Sequence, residues 1–116
     1  MKTGFSVSKN LLEKSPLDSS FGRAPGFVTF ENGVWTYLDN TQVADSPSGA
    51  GIQAAQQMVN AGVKIFIGGH VGPKAFAVMR QAGIQLYEGR PALSVEENLT
   101  HLQEGKLAEL NEANSF

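Results

Sequence analysis

Val63-Lys64-Ile65-Phe66-Ile67-Gly68-Gly69-His70-Val71-Gly72-Pro73-Lys74 is the stretch whose reading decides the fold. From Val63 to Ile67 only Lys64 is polar, a nearly continuous apolar run that suits a parallel strand covered on both faces. The glycines at 68, 69 and 72 read as a turn. Pro73 suits the first position of a helix, where its missing N–H has no intrahelical partner in any case. Phe76, Met79 and Ala82 give that helix an apolar stripe, Gly83 stops it, and Ile84-Gln85-Leu86-Tyr87 reads as the next strand. A strand–helix–strand connection this short demands parallel strands and a right-handed crossover.

Upstream, Ile52, Ala55 and Val59 lie at helical spacing, with Ser48 as the predicted N-cap and Gly62 as the stop. Before that helix comes a hairpin, in which Phe27-Val28-Thr29-Phe30 and Val34-Trp35-Thr36-Tyr37-Leu38 flank Asn32-Gly33. Asn-Gly is the favoured type I′ pair, because both central residues take positive φ. The turn pairs Phe30 with Trp35 and Val28 with Tyr37, leaving Thr29 and Thr36 on the other face. Residues 2–7 read as a first strand weakened by Gly4. Residues 8–25 and 39–49 read as loops. Downstream, Ser94 and Glu97 form a capping box for a third helix carrying Val95, Leu99 and Leu102. Residues 105–116 are expected to fray. The order β-β-β-α-β-α-β-α predicts one α/β domain over residues 1–116, with a five-stranded mixed sheet and helices on both faces.

Composition narrows the function. A net charge of −2 gives no general attraction to nucleic acid or anionic lipid. No apolar run approaches the roughly 20 residues of a membrane span, and the N-terminus lacks a signal-peptide pattern. A cytoplasmic location is the expectation. The chain has no cysteine and two histidines, His70 and His101. Disulfides, thiolate metal sites and cysteine-held iron–sulfur clusters are therefore excluded, and a conventional zinc site is disfavoured. Any metal is held by other ligands or arrives with its own.

Topology locates the site. In an open α/β sheet, ligands bind at the carboxyl ends of the parallel strands. With the second strand reversed and the other four aligned, the connections 8–25, 39–49, 68–73 and 88–94 share one edge. The three helices start there, presenting unpaired N–H groups and positive dipole ends. From the first connection comes Arg23, and from the second Ser48, Gly49 and Gly51. The third supplies Gly69, His70, Val71, Gly72 and, on the helix it leads into, Lys74; the fourth supplies Arg90. The edge is thus predicted to be basic in a slightly acidic protein, which favours an anionic ligand. The competing readings are plain: the glycines make tight turns, His70 is a surface residue, and Arg23 caps a loop carbonyl. His101, within the third helix, is read as structural.

Several segments together resemble the dinitrogenase iron–molybdenum cofactor biosynthesis family, with its NifX-like, NafY-like and orange-protein-like branches. They are the first strand, Phe21-Gly22-Arg23-Ala24-Pro25 with the hairpin after it, Gly49-Ala50-Gly51-Ile52-Gln53-Ala54-Ala55, and Val63 to Gly68. Val71-Gly72-Pro73-Lys74-Ala75-Phe76, Ala82-Gly83-Ile84 and Ser94-Val95-Glu96-Glu97-Asn98-Leu99 complete the match, which spans nearly the whole chain. The resemblance implies a ribonuclease H-like three-layer α/β/α fold. It implies non-covalent carriage or storage of an anionic metal–sulfur cluster, of molybdenum–copper–sulfur or iron–molybdenum cofactor type, without turnover. It also implies a protein that donates or accepts the cluster. His70 is the one candidate for a direct metal bond.

Two rival readings differ in their chemistry. A nuclease needs clustered carboxylates to hold metals, and residues 2–7 and 63–67 contain none. A Ser46, Ser48 and His70 arrangement lacks the strand–turn–helix nucleophile motif. The other rival is a regulatory module binding a phosphate-bearing metabolite at the same helix N-termini. The loop at 68–73 lacks a nucleotide-binding fingerprint.

Overall fold

The computed structural model describes residues 1–114. Its strands are β1 (Lys2–Val7), β2 (Gly26–Glu31), β3 (Val34–Asp39), β4 (Val63–Gly68), β5 (Gln85–Glu88) and β6 (Ala108–Glu109). Its helices are α1 (Thr41–Ala44), α2 (Ala50–Asn60), α3 (Pro73–Gln81) and α4 (Val95–Gln103), with a 3-10 turn at Leu12–Lys14. One sheet has the order β3-β2-β1-β4-β5-β6. The apolar strand β4 lies between β1 and β5 and parallel to both. β2 runs against β1 and β3, so β1, β3, β4 and β5 share one direction.

Alternation along β4 explains its composition. Phe66 and Ile67 are both fully buried, yet adjacent residues of a strand point to opposite faces. Phe66 packs with Phe21, Phe27, Met58 and Met79, the core beneath α2 and α3. Ile67 packs with Phe5, Val28 and Val95, the core beneath α4. Helices therefore cover both faces. In the hairpin, Asn32 and Gly33 have φ of 52° and 80°, the positive values a type I′ turn requires. The register pairs Phe30 with Trp35 and Val28 with Tyr37, as read from the turn. Trp35 stacks 4.5 Å from Phe30 and 5.9 Å from Phe5.

The structure corrects four readings. The sheet has six strands rather than five. The segment after Gly105 does not fray within the described residues: β6 pairs antiparallel with β5, and the Leu110 N–H donates to the Leu86 carbonyl at 2.8 Å. Residues 115 and 116, also assigned to that tail, lie outside the described residues. The N-cap of α2 is Gly49 in the left-handed region, not Ser48. The 39–49 connection, read as a loop, contains the short helix α1. β1 spans Lys2–Val7 as read, and at Gly4 a side chain would press on Met58 and Phe66, so the glycine makes room for the core.

Candidate functional site

The site begins with the first loop. Asp18 organises it: one carboxylate oxygen accepts the Ser20 backbone N–H at 2.8 Å and the Ser20 hydroxyl at 2.6 Å. The other oxygen accepts the Ser8 hydroxyl at 2.9 Å. Beyond this turn Phe21 is buried, its ring edge-on to Phe66 at 5.1 Å. The anchored aromatic draws Gly22 onto the first turn of α2, where a Cβ on Gly22 would lie 2.6 Å from the Gly51 nitrogen. Buried Asn40 holds the path, donating to the Gly22 and Ala24 carbonyls at 3.1 and 2.9 Å. On the other side the His70 N–H donates to the Ser19 carbonyl at 2.7 Å. Gly69 passes so close beneath Ser19 that any side chain there would collide with its carbonyl.

Segment 19–23, the start of α2 and the start of α3 enclose a cleft of about 670 Å³. The two helix starts are neighbours, since a Cβ on Gly51 would sit 3.6 Å from that of Ala75. Neither has a side-chain cap. The first intrahelical bonds are Gln53 N–H to Gly49 and Phe76 N–H to Gly72. The N–H groups of Ala50, Gly51 and Ile52 on α2, and of Lys74 and Ala75 on α3, precede those bonds and have no intrahelical acceptor. By contrast α4 carries a capping box: the Glu97 N–H donates to the Ser94 hydroxyl, and the Ser94 N–H donates to the Glu97 carboxylate.

Of the residues read from the sequence, Arg23, Gly49, Gly51, His70, Gly72 and Lys74 line the cleft. Ser48, Gly69, Val71 and Arg90 do not. Ser48 is exposed just before the α2 cap, and Gly69 lies buried beneath Ser19. Val71 is fully buried, its N–H donating to Asn114. Arg90 is exposed on the fourth connection, whose far end is tied to the first loop: the Leu17 N–H donates to the Leu93 carbonyl, and the Val95 N–H to the Ser15 carbonyl. Asn98 then folds that connection back on itself, accepting from the Arg90 N–H at 2.7 Å and donating to its carbonyl at 3.1 Å. Among the described residues, the cleft takes its lining from the part of the shared edge beside α2 and α3.

Sequence reasoning missed Ser19, Ser20, Phe21, Gly22, Ala50, Ile52, Pro73 and Ala75 as lining. Asp18-Ser19-Ser20 carries the pattern of a side-chain-to-backbone turn, which was the available signal.

Among the described residues, the lining includes Arg23, Lys74 and His70 and no carboxylate. Arg23 has a second attachment: its Nη1 donates to the Ala44 and Ser46 carbonyls at 2.8 and 2.6 Å. It therefore caps loop carbonyls while standing at the rim. Among the described residues no three His, Cys, Asp or Glu side chains converge to hold a metal ion. His101, in α4, leaves its Nδ1 without a partner among the described residues.

A mixed α/β sheet with an anion-suited cleft at its carboxyl edge defines the class. The chain belongs to the dinitrogenase iron-molybdenum cofactor family, whose match spans residues 1–105. It is 31% identical to an uncharacterised protein of Methanocaldococcus jannaschii over 103 residues, covering 83% of this chain and 84% of that one. The apo form of the orange protein from Desulfovibrio gigas is similar in structure, with a TM-score of 0.92 at 29% identity over 98% of this chain and 96% of that one. A putative NifB protein from Thermotoga gives a TM-score of 0.80 at 29% identity, over 94% and 92% of the two chains. These likenesses support cluster or cofactor binding as the family's business. No helix among the described residues is long and apolar enough to cross a membrane.

Proposed function

We propose that the cleft holds an anionic metal–sulfur cluster, of molybdenum–copper–sulfur or iron–molybdenum cofactor type, non-covalently for carriage or storage. The observation that carries this reading is the pair of uncapped helix starts opening onto a cleft whose lining, among the described residues, includes no carboxylate. The N–H donors and dipole ends of α2 and α3 favour negative charge, and Arg23 and Lys74 add to it. Phe21, Ile52 and Ala75 offer an apolar wall to the polarisable sulfides. A cluster saturated with its own sulfide needs no cysteine from the chain, and His70 is placed to add one metal bond or one hydrogen bond. The strand order β3-β2-β1-β4-β5 with β2 reversed supports a ribonuclease H-like motif beneath the site. The chain acts as a carrier rather than a catalyst, and a cluster-donating or cluster-accepting maturation protein is its partner.

The same donors suit a phosphate-bearing metabolite, and one experiment separates the two. Apo-protein is mixed anaerobically with tetrathiomolybdate and copper, passed through gel filtration and assayed for metal and sulfide. Visible bands co-eluting with protein are expected, undiminished by thiol-blocking reagents. If no metal is retained while pyrophosphate raises the unfolding temperature, the cluster reading falls and the metabolite reading stands.

A further inference from the structure

The loop that carries His70 is closed from outside the family-matched segment. Beyond α4 the chain adds β6 to the sheet edge and then turns onto the α2 and α3 side, where Leu110 packs against the core. Asn114 then reaches the loop between β4 and α3. Its side-chain amide donates to the Gly69 carbonyl at 3.1 Å. Its side-chain oxygen accepts the Val71 N–H at 2.8 Å, and its backbone N–H donates to the Val71 carbonyl at 3.2 Å. His70, the residue between these two, has its own N–H on Ser19.

The geometry points to Asn114 as a positioning residue, which locks the 69–71 loop so that the His70 imidazole is presented to the cleft. This rests on the reading of His70 as a contact to the cargo. An asparagine amide supplies a donor and an acceptor together, and here the two ends grip the residues on either side of His70. With Asn114 in place, the peptide groups flanking His70 are fixed by bonds to Asn114 and Ser19. Without it, the N–H of fully buried Val71 has no other partner among the described residues. The loop is then free to rotate its one exposed side chain away from the cleft.

The test has a part that needs no cargo. Amide hydrogen exchange is compared in apo wild type, Asn114→Ala and Asn114→Asp. Exchange at Val71 and His70 is expected to rise about tenfold or more in Asn114→Ala, the equivalent of one lost hydrogen bond, with Phe66 unchanged. Asn114→Asp keeps the acceptor, so Val71 is expected to stay protected. Unchanged exchange at 70 and 71, or an equal rise throughout β4, overturns the proposal. In the second part, tetrathiomolybdate with copper is titrated into wild type, Asn114→Ala, His70→Ala and the double variant. Asn114→Ala is expected to weaken retention about tenfold in wild type and not at all in the His70→Ala background. An equal loss in both backgrounds overturns positioning through His70. A wild type that retains no metal defeats the cluster reading, while the exchange data still decide whether Asn114 holds the loop.

Discussion

Arg23 serves two purposes, and the distinction is testable. Its Nη1 ties down the Ala44 and Ser46 carbonyls, while its charge stands at the rim of the cleft. Arg23→Ala removes both the tether and the charge. Arg23→Lys keeps the charge without the guanidinium Nη1 that donates to both carbonyls. Arg23→Ala is expected to weaken cluster retention on the order of ten- to a hundredfold, the worth of a charge-assisted contact. The loss should be largest at low salt, where attraction is least screened. Arg23→Lys should recover most of it, and if it recovers nothing then the tether rather than the charge is what matters. His70→Ala should likewise weaken cluster retention, and His101→Ala should leave it alone. Equal retention by wild type and His70→Ala would reduce His70 to a loop residue.

α2, α3 and α4 all begin at the same sheet edge, but of these only α2 and α3, which have no side-chain caps, face the cleft. The third, α4, uses Ser94 and Glu97 to satisfy its own donors. Hydrogen bonding from the Ser94 backbone and then its hydroxyl holds the Glu97 carboxyl below the ordinary value near 4.5. A depressed carboxylate contributes stability above its unfolded value and loses it as pH falls through the folded one. The stability advantage of wild type over Glu97→Gln should therefore be present at pH 7, shrink below about pH 4.5 and vanish in stronger acid. Thermal unfolding at several pH values reads this out, and a constant difference across that range refutes it. Ser94→Ala should cost about 1 kcal/mol while leaving cluster retention intact, because neither Ser94 nor α4 lines the cleft. Gly22→Ala should do the opposite. A Cβ 2.6 Å from the Gly51 nitrogen forces segment 19–23 off the start of α2. Retention should fall together with a stability loss of roughly 1–3 kcal/mol.

Across the whole molecule, what was legible in the sequence was what local pattern encodes. The apolar run of β4, the Asn32-Gly33 turn and the Ser94–Glu97 box each carry their signal within a few adjacent residues, and each stands where it was read. What was not legible depends on distant backbone meeting. Nothing near Arg90 shows that the first loop will tie down the end of its connection, and nothing near Ser19 shows that Gly69 will pass beneath it. β6 is the extreme case: its two residues are both exposed and too few to show a period. Its support is tertiary, from half-buried Leu107 and Leu110 and from Glu109 placed 3.8 Å from Arg80. This yields a prediction opposed to the fraying read from the sequence. A chain ended after Gly105 loses both leucine contacts, each worth up to about 1.5–3 kcal/mol if fully buried, against a total stability of roughly 5–15 kcal/mol. It also uncovers the outer edge of β5, whose unpaired N–H and C=O groups invite pairing with another chain. The truncated protein should unfold at a clearly lower temperature and associate as its concentration rises, read by calorimetry and light scattering. Arg80→Ala in the full chain should do neither, because a 3.8 Å surface pair contributes little. An unchanged unfolding temperature and a monodisperse truncated chain would restore the frayed tail.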